Sequence, residues 1–146
     1  MTRADVTELI LDAKRRKGLG FGDIAHQLGS DRVWTTAALL GQHPFDLVGA
    51  QGVARILELP EDAVALLQEI PSRGSLAQGP PTDPTMYRLY EVLQVYGPAL
   101  KELIHEEFGD GIMSAIGFNL SLDREDADEG PRVRITLNGK FLPYSW

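Results

Sequence analysis

The chain has 146 residues, 43% hydrophobic and 24% charged, a composition for one packed domain or two small lobes. It has no cysteine, which excludes disulfides, thiolate metal sites and a cysteine nucleophile. The net charge is −7, with 7 Lys/Arg against 10 Asp/Glu in residues 1–70 and 7 against 11 in residues 71–146, so neither half is built to attract nucleic acid over long range. A small anionic ligand stays open, because it needs only a local positive site. No apolar run approaches the ~18 residues of a membrane span. The segment "MTRADVTELILDAKRRKG" carries Asp5, Glu8 and Asp12 and lacks the apolar centre of a signal peptide, so a cytoplasmic location is expected.

Residues 1–70 read as five short helices. Val6, Leu9, Ile10 and Ala13 have helical spacing, and Gly18-Leu19-Gly20 ends that helix. Phe21, Ile24, Ala25 and Leu28 make the second face, closed by Gly29. Ser30 or Asp31 can cap a third helix with Val33, Ala37 and Leu40 inward, ending at Gly41. The fourth starts near Asp46 and buries Leu47, Val48, Ala50, Val53, Ala54 and Leu57. Pro60-Glu61-Asp62 opens the fifth, with Ala63, Leu66, Leu67 and Ile70 as its face.

Residues 71–84, "PSRGSLAQGPPTDP", hold four prolines and two glycines and read as a linker. A second unit is then expected over 85–146. Asp83-Pro84 pairs an N-cap with a proline at the first helical position. That helix should stop or kink at Gly97-Pro98 and can restart with Leu100, Leu103, Ile104 and Phe108 on one face. After "FGDG" the period changes to two. Phe118, Leu120 and Leu122 alternate, as do Val133, Ile135 and Leu137, with the acidic turn "DADEGP" between them. Asn138-Gly139 predicts a further hairpin turn. The fold class is therefore mainly α with a small β part. Two or three strands cannot cover their own apolar face, so another subunit is expected to do so.

Four features invite a functional reading. "FGDIAHQLGSDRVWTTAALLG" has the rhythm of a helix-turn-helix, and a DNA-binding regulator with a C-terminal dimerisation domain is the alternative function. Its would-be recognition helix has one Arg and no Lys, Asn or Gln, which favours a plain helical bundle. Lys14-Arg15-Arg16-Lys17 is the contrary feature, although a helix C-terminus also favours such charges. His26, His43 and His105 are scattered, and "HEEF" lacks the second histidine of a zinc motif. Ser114, in "FGDGIMSAI", is either a serine in a turn or, with the Gly109 and Gly111 amides, a donor to an anion. Arg88 and Glu91 share a helix face at i, i+3, either as a surface ion pair or as an anion site among Tyr87, Tyr90 and Leu93.

The segment "PTDPTMYRLYEVLQVYGPALKELIHEEFGDGIMSAIGFNLSL" closely resembles the signature region of the cyanase family, also called cyanate hydratase or cyanate lyase. "RVRITLNGKFLPY" matches that family's ending, and "TTAALLGQ" and "LLQEIPSRG" its N-terminal part, so the resemblance covers nearly the whole chain. It implies a five-helix N-terminal bundle like a repressor domain without that role, and a C-terminal part forming an intertwined dimer. Five such dimers would make a homo-oligomeric decamer with active sites between subunits. The implied reaction is bicarbonate-dependent decomposition of cyanate to carbamate and carbon dioxide, carbamate then giving ammonia and carbon dioxide. Neither a metal nor an organic cofactor is implied, bicarbonate being the co-substrate; no nucleic-acid or membrane partner is implied. The family's catalytic Arg, Glu and Ser fall on Arg88, Glu91 and Ser114. Some members carry a cysteine after the "PxRG" turn; Ser75 stands there in this chain. The closing Tyr144-Ser145-Trp146 carries no assignment.

Overall fold

The computed structural model describes residues 1–71, 74 and 78–145 of the chain. Ser75, several residues of the expected linker and Trp146 lie outside the described residues. The chain divides into two compact units, Met1–Ser75 and Leu76–Trp146.

The first unit holds α1 (Arg3–Lys17), α2 (Phe21–Leu28), α3 (Arg32–Leu39), α4 (Leu47–Leu57) and α5 (Asp62–Gln68). Local chemistry sets their ends. Thr2 and Asp5 form a reciprocal capping box on α1. Asp31 and Asp46 accept from the amides of Trp34 and Gly49, capping α3 and α4. Gly18 and Gly29, both at φ 63°, turn the chain out of α1 and α2. Between the helices Val6, Ile10, Ile24, Leu39, Val53, Leu57 and Leu67 are fully buried, with Phe45 close behind.

Four facing expectations change. The inward side of α3 is Thr35, Ala38 and Leu39, not Val33, Ala37 and Leu40. Leu40 lies beyond the last helical residue, and the buried position 35 carries a threonine that an apolar pattern skips. Leu47 and Val48, in the first turn of α4, face outward, and Ile70 lies past the end of α5, 87% exposed. Leu9 is also partly exposed.

The second unit is one helix and one hairpin: α6 (Pro84–Phe108), β1 (Gly111–Glu125) and β2 (Arg132–Pro143). Asp83 caps α6 by accepting from the Met86 amide, and Pro84 occupies the first turn. The helix does not stop at Gly97-Pro98; it runs unbroken for 25 residues. Proline ordinarily pushes the preceding residue out of the helical region through its Cβ and N–H. Gly97 has no Cβ, which removes part of that clash.

β1 and β2 pair antiparallel from Glu125↔Arg132 down to Gly111↔Pro143. The reversal is the acidic stretch 126–131, as expected. Leu120↔Leu137, Leu122↔Ile135 and Arg124↔Val133 place the alternating apolar residues on a common face. The Asn138-Gly139 turn does not occur: both residues sit inside β2, opposite Asn119 and Phe118. Glycine is required there for closeness. A Cβ at position 139 would lie 2.5 Å from Met113 Cγ and press into the Ser114 carbonyl oxygen.

The units differ in how they bury apolar surface. No residue of α6 is buried, and among the described residues of the second unit only Gly111 and Ser114 are. Leu93, Val95, Tyr96 and Leu103 on the helix, with Ile116 and Val133 on the hairpin, are each more than half exposed.

Candidate active site

Arg88 is placed by the start of α6. The Asp83 cap and Pro84 fix the first turn, and Arg88 follows one turn later with Glu91 a further three residues on. The structure joins them. Arg88 donates from Nη1 to Glu91 Oε2 at 2.7 Å, with side chains 72% and 44% exposed. The guanidinium carbon also lies 5.8 Å from the Tyr87 ring centre, and Tyr87 and Tyr90 rings are 6.4 Å apart. The Glu91 hydrogen bond and charge raise the Arg88 pKa above its already high ordinary value. Arg88 is therefore cationic at any working pH, but within the protomer its charge is balanced by Glu91.

Ser114 sits in β1, not in a turn, and is 6% exposed. The register slips between Met113 and Phe118, so Ser114 to Gly117 bulge against Lys140 alone. The serine closes this bulge on itself. Its Oγ accepts from the Ile116 amide at 3.1 Å and the Gly117 amide at 3.0 Å. A hydroxyl has two acceptor lone pairs and one O–H. Both lone pairs are used, so only the O–H is left to offer, and it suits an anion. Gly109 and Gly111, expected to offer amides to the same anion as the hydroxyl, are engaged in the backbone. The Gly109 amide donates to the His105 carbonyl and closes α6, while Gly111 pairs with Pro143 in the ladder.

No hydrogen bond joins Ser114 to Arg88 or Glu91 within the protomer. Nor, among the described residues, does a base hydrogen-bond to Ser114. His105 faces the Gly111 carbonyl at 3.2 Å and Asp110 at 3.8 Å, with its ring edge-on to Tyr144. Among the described residues no group of three or more His, Asp and Glu could hold a metal ion. A groove of about 300 Å³ between α6 and the base of the hairpin is lined by Leu93, Gly97, Ile104, His105, Met113 and Tyr144. A larger groove, about 540 Å³ around Trp34, Val48 and Arg55, lies in the first unit and contains no candidate residue.

Sequence reasoning missed Gly117, Gly139 and Lys140, the neighbours of Ser114. The usable signal was "NGK" inside an alternating strand, where a glycine marks a bulge or a close approach as readily as a turn. It overvalued the basic run. Lys14 lies 4.6 Å from the Phe21 ring centre, Arg15 and Arg16 pair with Asp12, and Lys17 bonds Glu58 at 2.7 Å.

Comparison with known proteins decides the family. A model of the cyanate hydratase N-terminal region matches residues 3–71, and one of the cyanate lyase C-terminal domain matches residues 78–146. The chain belongs to the cyanate hydratase family. The cyanate hydratase of Thiobacillus denitrificans is 56% identical over 144 residues, covering 99% of this chain and 98% of that one. That of Mycolicibacterium vanbaalenii is 52% identical over 146 residues, 100% of this chain and 95% of its own. The crystal structure of cyanase from T. urticae superposes with a TM-score of 0.79 at 39% identity, covering 94% of this chain and 96% of that chain. The mainly helical fold with a two-stranded antiparallel sheet is the one this family member shares, and the chain is an enzyme of cyanate hydratase type. A DNA-binding regulator draws no support from these relatives. No described helix is long and apolar enough to cross a membrane.

Proposed function

We propose that this cyanate-decomposing enzyme uses bicarbonate as its second substrate, with Arg88, Glu91 and Ser114 as its catalytic residues. A bicarbonate oxygen attacks the cyanate carbon and forms a new C–O bond, while the nitrogen takes up a proton. Cleavage of the bond between that bridging oxygen and the former bicarbonate carbon releases carbon dioxide. Transfer of the bicarbonate proton to nitrogen, with the one taken up, leaves carbamate. Carbamate then accepts a proton and falls apart to ammonia and a second carbon dioxide. No step calls for electron transfer, and we read the enzyme as free of metal and organic cofactor and as cytoplasmic.

The observation that carries the roles is that Arg88 and Ser114 present donors only. A guanidinium accepts nothing, and the Ser114 oxygen is saturated by two backbone amides. Donors without acceptors suit two anions and the charge that builds between them, so catalysis rests on proximity and electrostatic stabilisation. Two unit charges 4 Å apart repel by ~4 kcal/mol at an effective dielectric near 20. One Arg88, balanced by its own Glu91, is a thin offset.

A site shared between subunits answers both deficits. It brings copies of Arg88 together, and it covers the apolar face of α6 that the protomer leaves open. We therefore read the active form as an assembly of intertwined dimers, five of which make a decamer. Glu91 fixes the guanidinium plane and stays ionised. The N-terminal bundle resembles a repressor domain in its helix order and serves no DNA.

Ammonia release from cyanate, with and without bicarbonate, tests the reaction. It should stop when bicarbonate is omitted; full-rate hydrolysis without it refutes the mechanism. Arg88→Leu should lose orders of magnitude in turnover with its assembly intact, and near-normal activity would remove Arg88 from the site.

A further inference from the structure

We propose that Lys140 is a further anion-binding residue of this enzyme, acting beside the Ser114 hydroxyl. The inference rests on the anion-binding reading of Ser114 given above. Its first support is register. Met113 pairs with Phe141 and Phe118 with Gly139, so Lys140 is the one β2 residue that faces the bulge from Ser114 to Gly117. Phe141, next to it, stacks on Phe108 of α6 at 5.4 Å. Neighbouring strand residues point to opposite faces, so Lys140 points away from the helix.

The second support is an opening. A Cβ built on Gly117 would lie 3.5 Å from Lys140 Cβ and 3.8 Å from Ser114 Oγ. The glycine thus leaves a notch bordered by the lysine stem on one side and the serine hydroxyl on the other. The four-carbon stem of lysine easily spans so short a gap. An ion the size of cyanate or bicarbonate in this notch would meet an O–H donor and an ammonium together.

Charge balance is the third support. All four described arginines of the second unit are held by carboxylates: Arg88 by Glu91, Arg124 by Asp126, Arg132 by Glu129 and Arg134 by Glu125. Among the described residues Lys140 has no such partner. A site for two anions needs positive charge that is not already spent, and Lys140 supplies it where Ser114 offers its proton. It touches substrate and forms no covalent bond to it; its contribution is binding.

The experiment measures turnover against cyanate and bicarbonate separately, with azide as a linear monoanionic inhibitor, in Lys140→Gln, Lys140→Arg, Gly117→Ala and Ser114→Ala. Loss of one charged hydrogen bond should raise KM for at least one anion, and the azide inhibition constant, about tenfold in Lys140→Gln. The kcat should stay within about threefold by the same reasoning, since uniform binding is what is lost. Lys140→Arg should recover most of the affinity. Gly117→Ala fits without a clash but fills the notch, so it too should raise KM. Wild-type KM and azide inhibition in Lys140→Gln, or a fall in kcat alone, would overturn the proposal and make Lys140 a solvated strand lysine. Unchanged KM in Gly117→Ala would also overturn it. Full activity in Ser114→Ala would instead refute the anion-binding reading of the serine, whatever Lys140 does.

Discussion

Gly139→Ala is the change that most directly tests how the Ser114 hydroxyl is held. The new methyl carbon would lie 2.5 Å from Met113 Cγ and closer still to the Ser114 carbonyl oxygen. The methionine side chain can swing aside, but the carbonyl is backbone and sits inside a paired hairpin. Restoring ordinary contact requires the bulge to retreat by about an ångström, since packed atoms tolerate little overlap. The Oγ moves with its backbone, because it is tied to the Ile116 and Gly117 amides. A misplacement of ~1 Å costs about 100-fold in rate where geometry matters. The same overpacking should lower stability by ~1–3 kcal/mol. Ammonia release gives the rate, and sedimentation with thermal melting reports whether the assembly survives. In a Ser114→Ala background the second change should add little, because residues acting through one group are not additive. Normal turnover in Gly139→Ala, or a full 100-fold further loss on top of Ser114→Ala, would refute the link between glycine and serine.

Thr35→Val should raise the denaturation midpoint: Thr35 is fully buried and its Oγ1 finds no partner, which costs ~1–3 kcal/mol that an apolar isostere avoids. Glu58 has its pKa lowered by Lys17, so its contribution to stability is present above the ordinary carboxylate range and is lost as pH falls through the depressed value. Glu58→Gln should therefore be less stable than the wild type at neutral pH and equal to it in strong acid, as chemical denaturation across pH would record. Glu91→Gln should keep measurable turnover with altered KM for the anions and both limbs of the pH–rate profile; loss of an acid limb would make Glu91 a proton donor.

Features that depend on a few neighbouring residues were legible. The caps at Asp31, Asp46 and Asp83-Pro84, the stops at Gly18 and Gly29, and the Arg88–Glu91 spacing all rest on contacts within four residues. Part of what failed depends on pairing between distant segments. Asn138-Gly139 has turn chemistry, yet the register against β1 places it in mid-strand, where the missing side chain admits the Ser114 carbonyl. Gly97-Pro98 carries a helix-breaking signal, yet α6 runs through it. The inward face of α3 slipped because position 35 is polar in composition and buried in fact. The bulge that holds Ser114 was not legible, since it exists only once β2 is laid beside β1.

The two units explain why a charged pair stands in the apolar first half of α6. The first unit closes a core of its own, and Asp31 and Asp46 serve there as caps and Lys17 with Glu58 as a surface pair. The second has no buried side chain on α6, and a single helix with a two-stranded hairpin cannot make a core alone. In the assembly proposed above those apolar residues would be covered, and any charge set among them would be buried with them. Burying a lone guanidinium would be costly, whereas Arg88 enters with Glu91 already bonded at 2.7 Å. The pair is thus ready for desolvation before substrate arrives. Once water is excluded, its field on a nearby anion strengthens, because the effective dielectric falls. In that assembly the same step that covers α6 would also activate the proposed site. Dilution to protomers should abolish turnover in parallel with loss of assembly, and activity in a species that sediments as a single chain would show that the pair needs no neighbour.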